Sequence, residues 1–137
     1  MEPEQKPPSA ATAPSSVSPG ITVTLSYPQA DTVVCTVTGE VDLATTPVLG
    51  DMLDEAIRDD VRPHLVVDLT TIDYLGSAGL QALLDALKKQ GRQGHLAIVT
   101  NENQRASRPF QVTALDEVFD LYDNVAEALR ACAAASD

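Results

Sequence analysis

The residue whose setting most resembles a reaction centre is Ser77, in Leu75-Gly76-Ser77-Ala78-Gly79-Leu80. A hydrolase nucleophile on a strand-to-helix turn needs Gly-x-Ser-x-Gly; Gly79 fits, but Leu75 stands where the first glycine belongs. A serine nucleophile also needs a histidine base within hydrogen-bond reach, and the chain has two histidines, His64 and His95. Both open apolar runs that read as strands, and both are expected at the surface there. Ser77 lies past a strand's far end, on the order of 17–20 Å away. Triad catalysis is excluded on distance, and the protein is expected not to be an enzyme. No Gly-x-x-x-x-Gly-Lys-Ser/Thr or Gly-x-Gly-x-x-Gly follows a strand, and the Gly76 to Gly79 spacing is too short to mark a phosphate cradle. Asp42, Asp68 and Asp73 end strands or precede helices, where carboxylates cap and turn the chain, and no pair has metal-ligand spacing. Cys35 and Cys132 form no Cys-x-x-Cys and have no Cys/His spacing, which argues against zinc and a disulfide framework. No cofactor or metal is expected. By residue type alone Ser77 reads as a helix N-cap.

The elements that must position Ser77 follow from periodicity. Ile21-Thr22-Val23-Thr24-Leu25 alternates apolar and polar residues, and Thr32 to Thr38 follows after Tyr27-Pro28-Gln29-Ala30-Asp31. This pattern predicts an antiparallel hairpin with Cys35 on the face of Val33 and Val37. Thr46 as N-cap and Pro47 at the first helical position open a helix whose Leu49, Met52, Leu53 and Ala56 make one buried stripe. His64 to Leu69 is apolar on both faces, as in a covered strand. Ser77 opens a second helix, with Leu80, Leu83, Leu84 and Leu87 on one side and Lys88, Lys89 and Gly91 at its end. His95 to Val99 is another buried strand. Pro109 conflicts with a helix over Asn103 to Leu115, and a late start with Ser107 as N-cap removes the conflict at the expense of a long loop after Val99. Asp123 is expected to cap a last helix carrying Val125, Ala128, Leu129 and Cys132 on one face. Both cysteines are therefore expected to be packed and reduced. Strand-helix-strand units with short links specify an α/β fold with parallel strands.

Composition bounds the rest. The 137 residues suffice for one domain and one core. Residues 1–19 hold five of the nine prolines and only Met1 and Val17 as large apolar side chains, so they read as a disordered tail before a domain over 20–135. Glu2, Glu4 and Lys6 leave that tail at −1 of the net −11, so the acidity belongs to the domain. Such a charge repels phosphate backbones and anionic lipid, which argues against nucleic acid and membrane surfaces as partners. No apolar run nears the roughly 18 residues of a membrane span, and the N-terminus, with two acids and no apolar segment, lacks the pattern of a secretion signal. The expected location is the cytoplasm.

Three separated segments share a resemblance. Gly39-Glu40-Val41-Asp42-Leu43-Ala44-Thr45, then Val66 to Leu80, then Ala114-Leu115-Asp116-Glu117-Val118-Phe119, are similar in order and spacing to the landmarks of the STAS domain in its stand-alone anti-sigma factor antagonist form. The resemblance runs from about Ile21 to Ala131. It implies a STAS-like mixed β-sheet of four to five strands with about four helices. It further implies binding to a cytoplasmic anti-sigma factor that is also a serine kinase, with release of a sigma factor and switching by phosphorylation. By position the phosphorylated residue is Ser77, and the implied partner surface comprises Asp42, Gly76, Ser77, Ala78, Gly79 and Leu80. Gly76 and Ala78 stand where the family's usual motif has an aspartate and a second hydroxyl residue. Those two departures keep an alternative in view: a STAS-type ligand or nucleotide sensor, or a scaffold without a phosphoswitch.

Overall fold

The computed structural model describes residues 14–59, 61–90 and 94–136. One six-stranded sheet runs in chain order, β1 (Ser15–Ser18), β2 (Ile21–Gln29), β3 (Thr32–Val41), β4 (His64–Leu75), β5 (Leu96–Val99) and β6 (Asp120–Tyr122). The first three are joined antiparallel and the last three extend the sheet in parallel from β3. The described residues also form four α-helices, three between strands and one after β6: α1 (Thr46–Ile57), α2 (Ser77–Gln90), α3 (Gln104–Val112) and α4 (Val125–Ser136). No helix among the described residues is long and apolar enough to cross a membrane.

The α/β class and the β2–β3 hairpin follow the hydrophobic patterning. The four to five strands implied by the resemblance are exceeded, for six lie among the described residues. Ser15–Ser18, inside the segment expected to be a tail, form β1, pairing Ser15 with Thr24 and Ser18 with Ile21. Its only large apolar side chain, Val17, is exposed, so β1 exists through backbone pairing at a sheet edge and leaves no trace in composition. Residues 1–13 of the expected tail lie outside the described residues, as does Gly91.

Alternation buries one face of each strand. Ile21, Val23 and Leu25, Val33, Cys35 and Val37, and Leu65, Val67 and Leu69 meet the stripes Leu49, Met52, Leu53 and Ala56 of α1 and Leu80, Leu83 and Ala86 of α2. Ala106 and Phe110 of α3 join this core, with Phe110 packed edge-to-face on Phe119 at 5.5 Å. Among the described residues, helix α4 alone covers the opposite face, setting Ala128 and Cys132 against Val34, Val66, Ala97 and Val99. Both cysteines are buried free thiols, on opposite sides of the sheet, as their apolar neighbours implied.

Helix starts shift from their expected places. Helix α1 begins at Thr46 after Thr45, with Pro47 in the first turn. Asn124, not Asp123, caps α4, its side chain accepting from the Glu127 N–H at 2.8 Å. Helix α3 starts at Gln104, ahead of Ser107, because Asn103 is a strong cap: its Oδ1 accepts from the Arg105 N–H and its Nδ2 donates to the carbonyls of Thr70 and Ile72. These bonds, with Ala106 and Phe110 buried, outweigh the hydrogen bond that Pro109 cannot donate within the helix. The loop after Val99 is consequently short.

Candidate functional site

The carboxyl ends of β3 and β4 lie side by side and place the candidate site. Val41 pairs with Leu75 in the parallel register, and the Gly76 N–H donates to the Val41 carbonyl at 2.9 Å. Asp42, directly after β3, and Ser77, separated from the end of β4 by Gly76 and at the start of α2, are thereby held at adjoining strand ends. Strand β4 is twice as long as its apolar run suggested. Irregularities between Thr36 and Thr38 and between Gly39 and Glu40 let it follow β3 to Leu75, shifting its buried positions from Leu69 to Ile72 and Leu75.

Ser77 is the first residue of α2, one position inside the cap. The Gly76 carbonyl accepts from the Leu80 N–H at 3.1 Å, which makes Gly76 the cap position, so the expectation of a capping Ser77 is corrected. The Ser77 side chain is exposed and its hydroxyl has no hydrogen-bond partner among the described residues. The N–H groups of Ser77, Ala78 and Gly79 point out of the helix start, as in any α-helix.

The rest of the expected partner surface divides. Asp42, Gly76 and Ala78 are half-buried at the rim, whereas Gly79 and Leu80 are buried and act beneath it. A Cβ at Gly79 would come within 2.5 Å of Val41 Cγ1 and 2.7 Å of Leu75 Cδ1, so glycine lets α2 approach the strand ends. At Gly76 the ring of Tyr74 lies over the backbone, 3.0 Å from where a Cβ would begin, and so fills the space in which an aspartate side chain would start.

Asp42 organises its loop. Its Oδ1 accepts from the Thr45 N–H at 2.9 Å, while Thr45 Oγ1 accepts from the Asp42 N–H at 2.9 Å and donates to the Glu40 carbonyl at 2.7 Å. Hydrogen bonds from the Thr45 backbone and side chain, opposed by partial desolvation, hold the Asp42 carboxyl below its ordinary range. Thr46 Oγ1 adds a bond to the Asp42 carbonyl at 2.6 Å. Asp42 is thus a carboxylate tied into a rigid turn beside Ser77, more than a free ligand.

The histidines sit at the other end of the sheet. His64 is buried, contrary to the expected surface position, because β3 and β5 flank the start of β4, and its Nδ1 accepts from the His95 N–H at 3.0 Å. The 12 residues of β4 place it on the order of 35 Å from Ser77. Among the described residues no group of three or more His, Cys, Asp and Glu side chains is placed to hold a metal.

Several residues of this surface have no motif to announce them. Leu43, 83% exposed, tops the Asp42 loop, and Tyr74, 53% exposed, overhangs Gly76. Arg105 and Arg108 of α3 line a groove beside Tyr74. The i, i+3 spacing of the two arginines was visible in the sequence, but their place beside β4 depends on Asn103 docking α3.

The chain matches the STAS domain family over residues 24–128. It is 31% identical over 96 residues to the anti-sigma-F factor antagonist RsfB of Mycobacterium tuberculosis strain H37Rv, covering 70% of this chain and 77% of that protein. The crystal structure of an anti-sigma factor antagonist from Mycobacterium paratuberculosis superposes with a TM-score of 0.77 at 32% identity, covering 85% of this chain and 97% of that one. The Bacillus cell fate determinant SpoIIAA in its phosphorylated form shares the fold, with a TM-score of 0.60 at 16% identity over 79% of this chain and 96% of that one. The chain belongs to the STAS-domain family of anti-sigma factor antagonists.

Proposed function

We propose that this antagonist binds a cytoplasmic anti-sigma factor through the surface around Asp42, Gly76, Ser77 and Ala78, so freeing a sigma factor, and that phosphorylation of Ser77 by that anti-sigma factor, acting as a serine kinase, ends the complex. The observation that carries the reading is the exposed Ser77 hydroxyl at the first position of α2, engaged by no other described residue. In the transfer, Ser77 Oγ bonds to the γ-phosphorus of ATP, the bond from that phosphorus to the leaving ADP oxygen breaks, and the hydroxyl proton passes to a base of the kinase. The product phosphate faces the unpaired N–H groups and positive dipole end of α2, so the fold tolerates it. It also adds roughly −1.5 to −2 charges to a surface that must shed water on binding. Association is lost while the domain stays folded.

Because Ser77 caps nothing, Ser77→Ala is expected to change stability by no more than about 0.5 kcal/mol, and Ser77→Asp to gain about 0.3–1 kcal/mol from the dipole. In calorimetric titration with the purified anti-sigma factor, Ser77→Ala should bind like wild type and stay bound with ATP present, whereas Ser77→Asp should bind poorly despite its stability. Wild-type binding by Ser77→Asp, together with no phosphate on Ser77 after incubation with kinase and ATP, refutes the switch.

A further inference from the structure

Beside Ser77 the surface is cut by a groove of about 320 Å³ between the end of β4 and α3, walled by Tyr74, Leu75, Pro109 and Val112 and edged by Arg105 and Arg108. Two features distinguish it from ordinary surface. Val112 is 72% exposed and Tyr74 53%, so the walls present large apolar area to water. Arg105, Arg108, Pro109 and Val112 also recur at i, i+3, i+4 and i+7, giving α3 an outward stripe opposite the buried Ala106 and Phe110. Neither arginine has an ion-pair partner among the described residues, in a chain of net charge −11. Asp73 at the strand end is the one carboxylate in the lining, and Gln104 completes the polar rim.

We infer that this groove docks an acidic, amphipathic segment of the anti-sigma factor, with an apolar side chain seated between Tyr74 and Val112 and carboxylates paired with Arg105 and Arg108. Charge complementarity selects that occupant, and Asp73 orients it, since a carboxylate at the β4 side would meet like charge. The groove is continuous with the Ser77 surface, because Tyr74 both lines it and overhangs Gly76. The inference rests on the proposed function, for it takes the anti-sigma factor as the partner. It also opposes the guide of overall charge: an antagonist this acidic should bind better when made more acidic if only long-range attraction to a basic partner mattered.

The test is titration of the purified anti-sigma factor with the full chain, as wild type, as Arg105→Glu with Arg108→Glu, and as Arg58→Glu with Arg130→Glu, which adds the same negative charge at exposed sites on α1's end and α4. The groove pair should lose affinity by about tenfold or more, and the control pair should stay within about twofold of wild type. Melting curves confirm folding, and Arg105→Gln with Arg108→Gln, expected to lose affinity in the same direction, replaces the glutamates should these unfold the domain. Unchanged or tighter binding by the groove pair, or equal loss in both pairs, overturns the groove while leaving the Ser77 reading intact. Failure of wild type to bind the anti-sigma factor overturns both.

Discussion

Cys35 and Cys132 show how a residue's surroundings set its chemistry. Burial, reinforced by the nearby Asp68 carboxylate, pushes the Cys35 thiol up to about 12, and burial with Asp31 pushes Cys132 up to about 11. Both lie above the ordinary thiol value of 9.0, so on raising the pH the unfolded chain gives up these protons first. The stabilisation is complete below pH 9 and is lost as the pH climbs through 11 to 12. Melting temperatures should therefore fall above pH 9, and the fall should be shallower in Cys35→Ala than in wild type. Equal slopes would show that the thiol does not titrate this way. That both thiols are packed was legible from their apolar neighbours at strand and helix spacing. The Tyr74 ring over Gly76 was not, because glycine reveals room for a neighbour without naming it.

Among the elements, α3 departs furthest from its local signals. Pro109 argued for a late start with Ser107 as N-cap, yet the helix begins at Gln104 because Asn103 joins it to the β4 carbonyls of Thr70 and Ile72 at 3.0 and 2.9 Å. An asparagine before a helix is a recognisable cap, but a cap that also reaches a strand more than 30 residues away is settled only by folding. Asn103→Ala removes the cap and both long-range bonds, and should destabilise the protein by about 2 kcal/mol or more. Denaturant unfolding measures this, and amide exchange should quicken first in α3. A loss below about 0.5 kcal/mol would mean that the Phe110–Phe119 packing alone holds the helix.

At the scale of the molecule, the sheet extends into the segment ahead of Ile21. Strand β1 pairs with β2, and the Leu25 N–H donates to the Pro14 carbonyl at 2.8 Å, which ties Pro14 to Ser18 to the sheet. Deleting residues 1–13 should leave the melting temperature within error, whereas deleting 1–19 should lower it and expose the β2 edge to intermolecular pairing. Light scattering and thermal melts of the two truncations check this. Equal stability and equal monodispersity would show that β1 adds nothing to the domain.

The sequence by itself determined the α/β class, the antiparallel hairpin feeding a parallel sheet, the stripes of α1, α2 and α4, and Ser77 at the start of a helix. All of these rest on hydrophobic period and local propensity, which act over a few neighbouring residues. Tertiary structure decided what depends on partners distant in the chain: the edge strand β1, the extension of β4 along β3, the burial of His64, and the docking of α3 by Asn103. It also decided that Asp42 is bound into its own turn and that Arg105 and Arg108 come to flank Tyr74. Spacing along a chain reports which face a residue shares, while the identity of what lies against that face is set only when the sheet assembles.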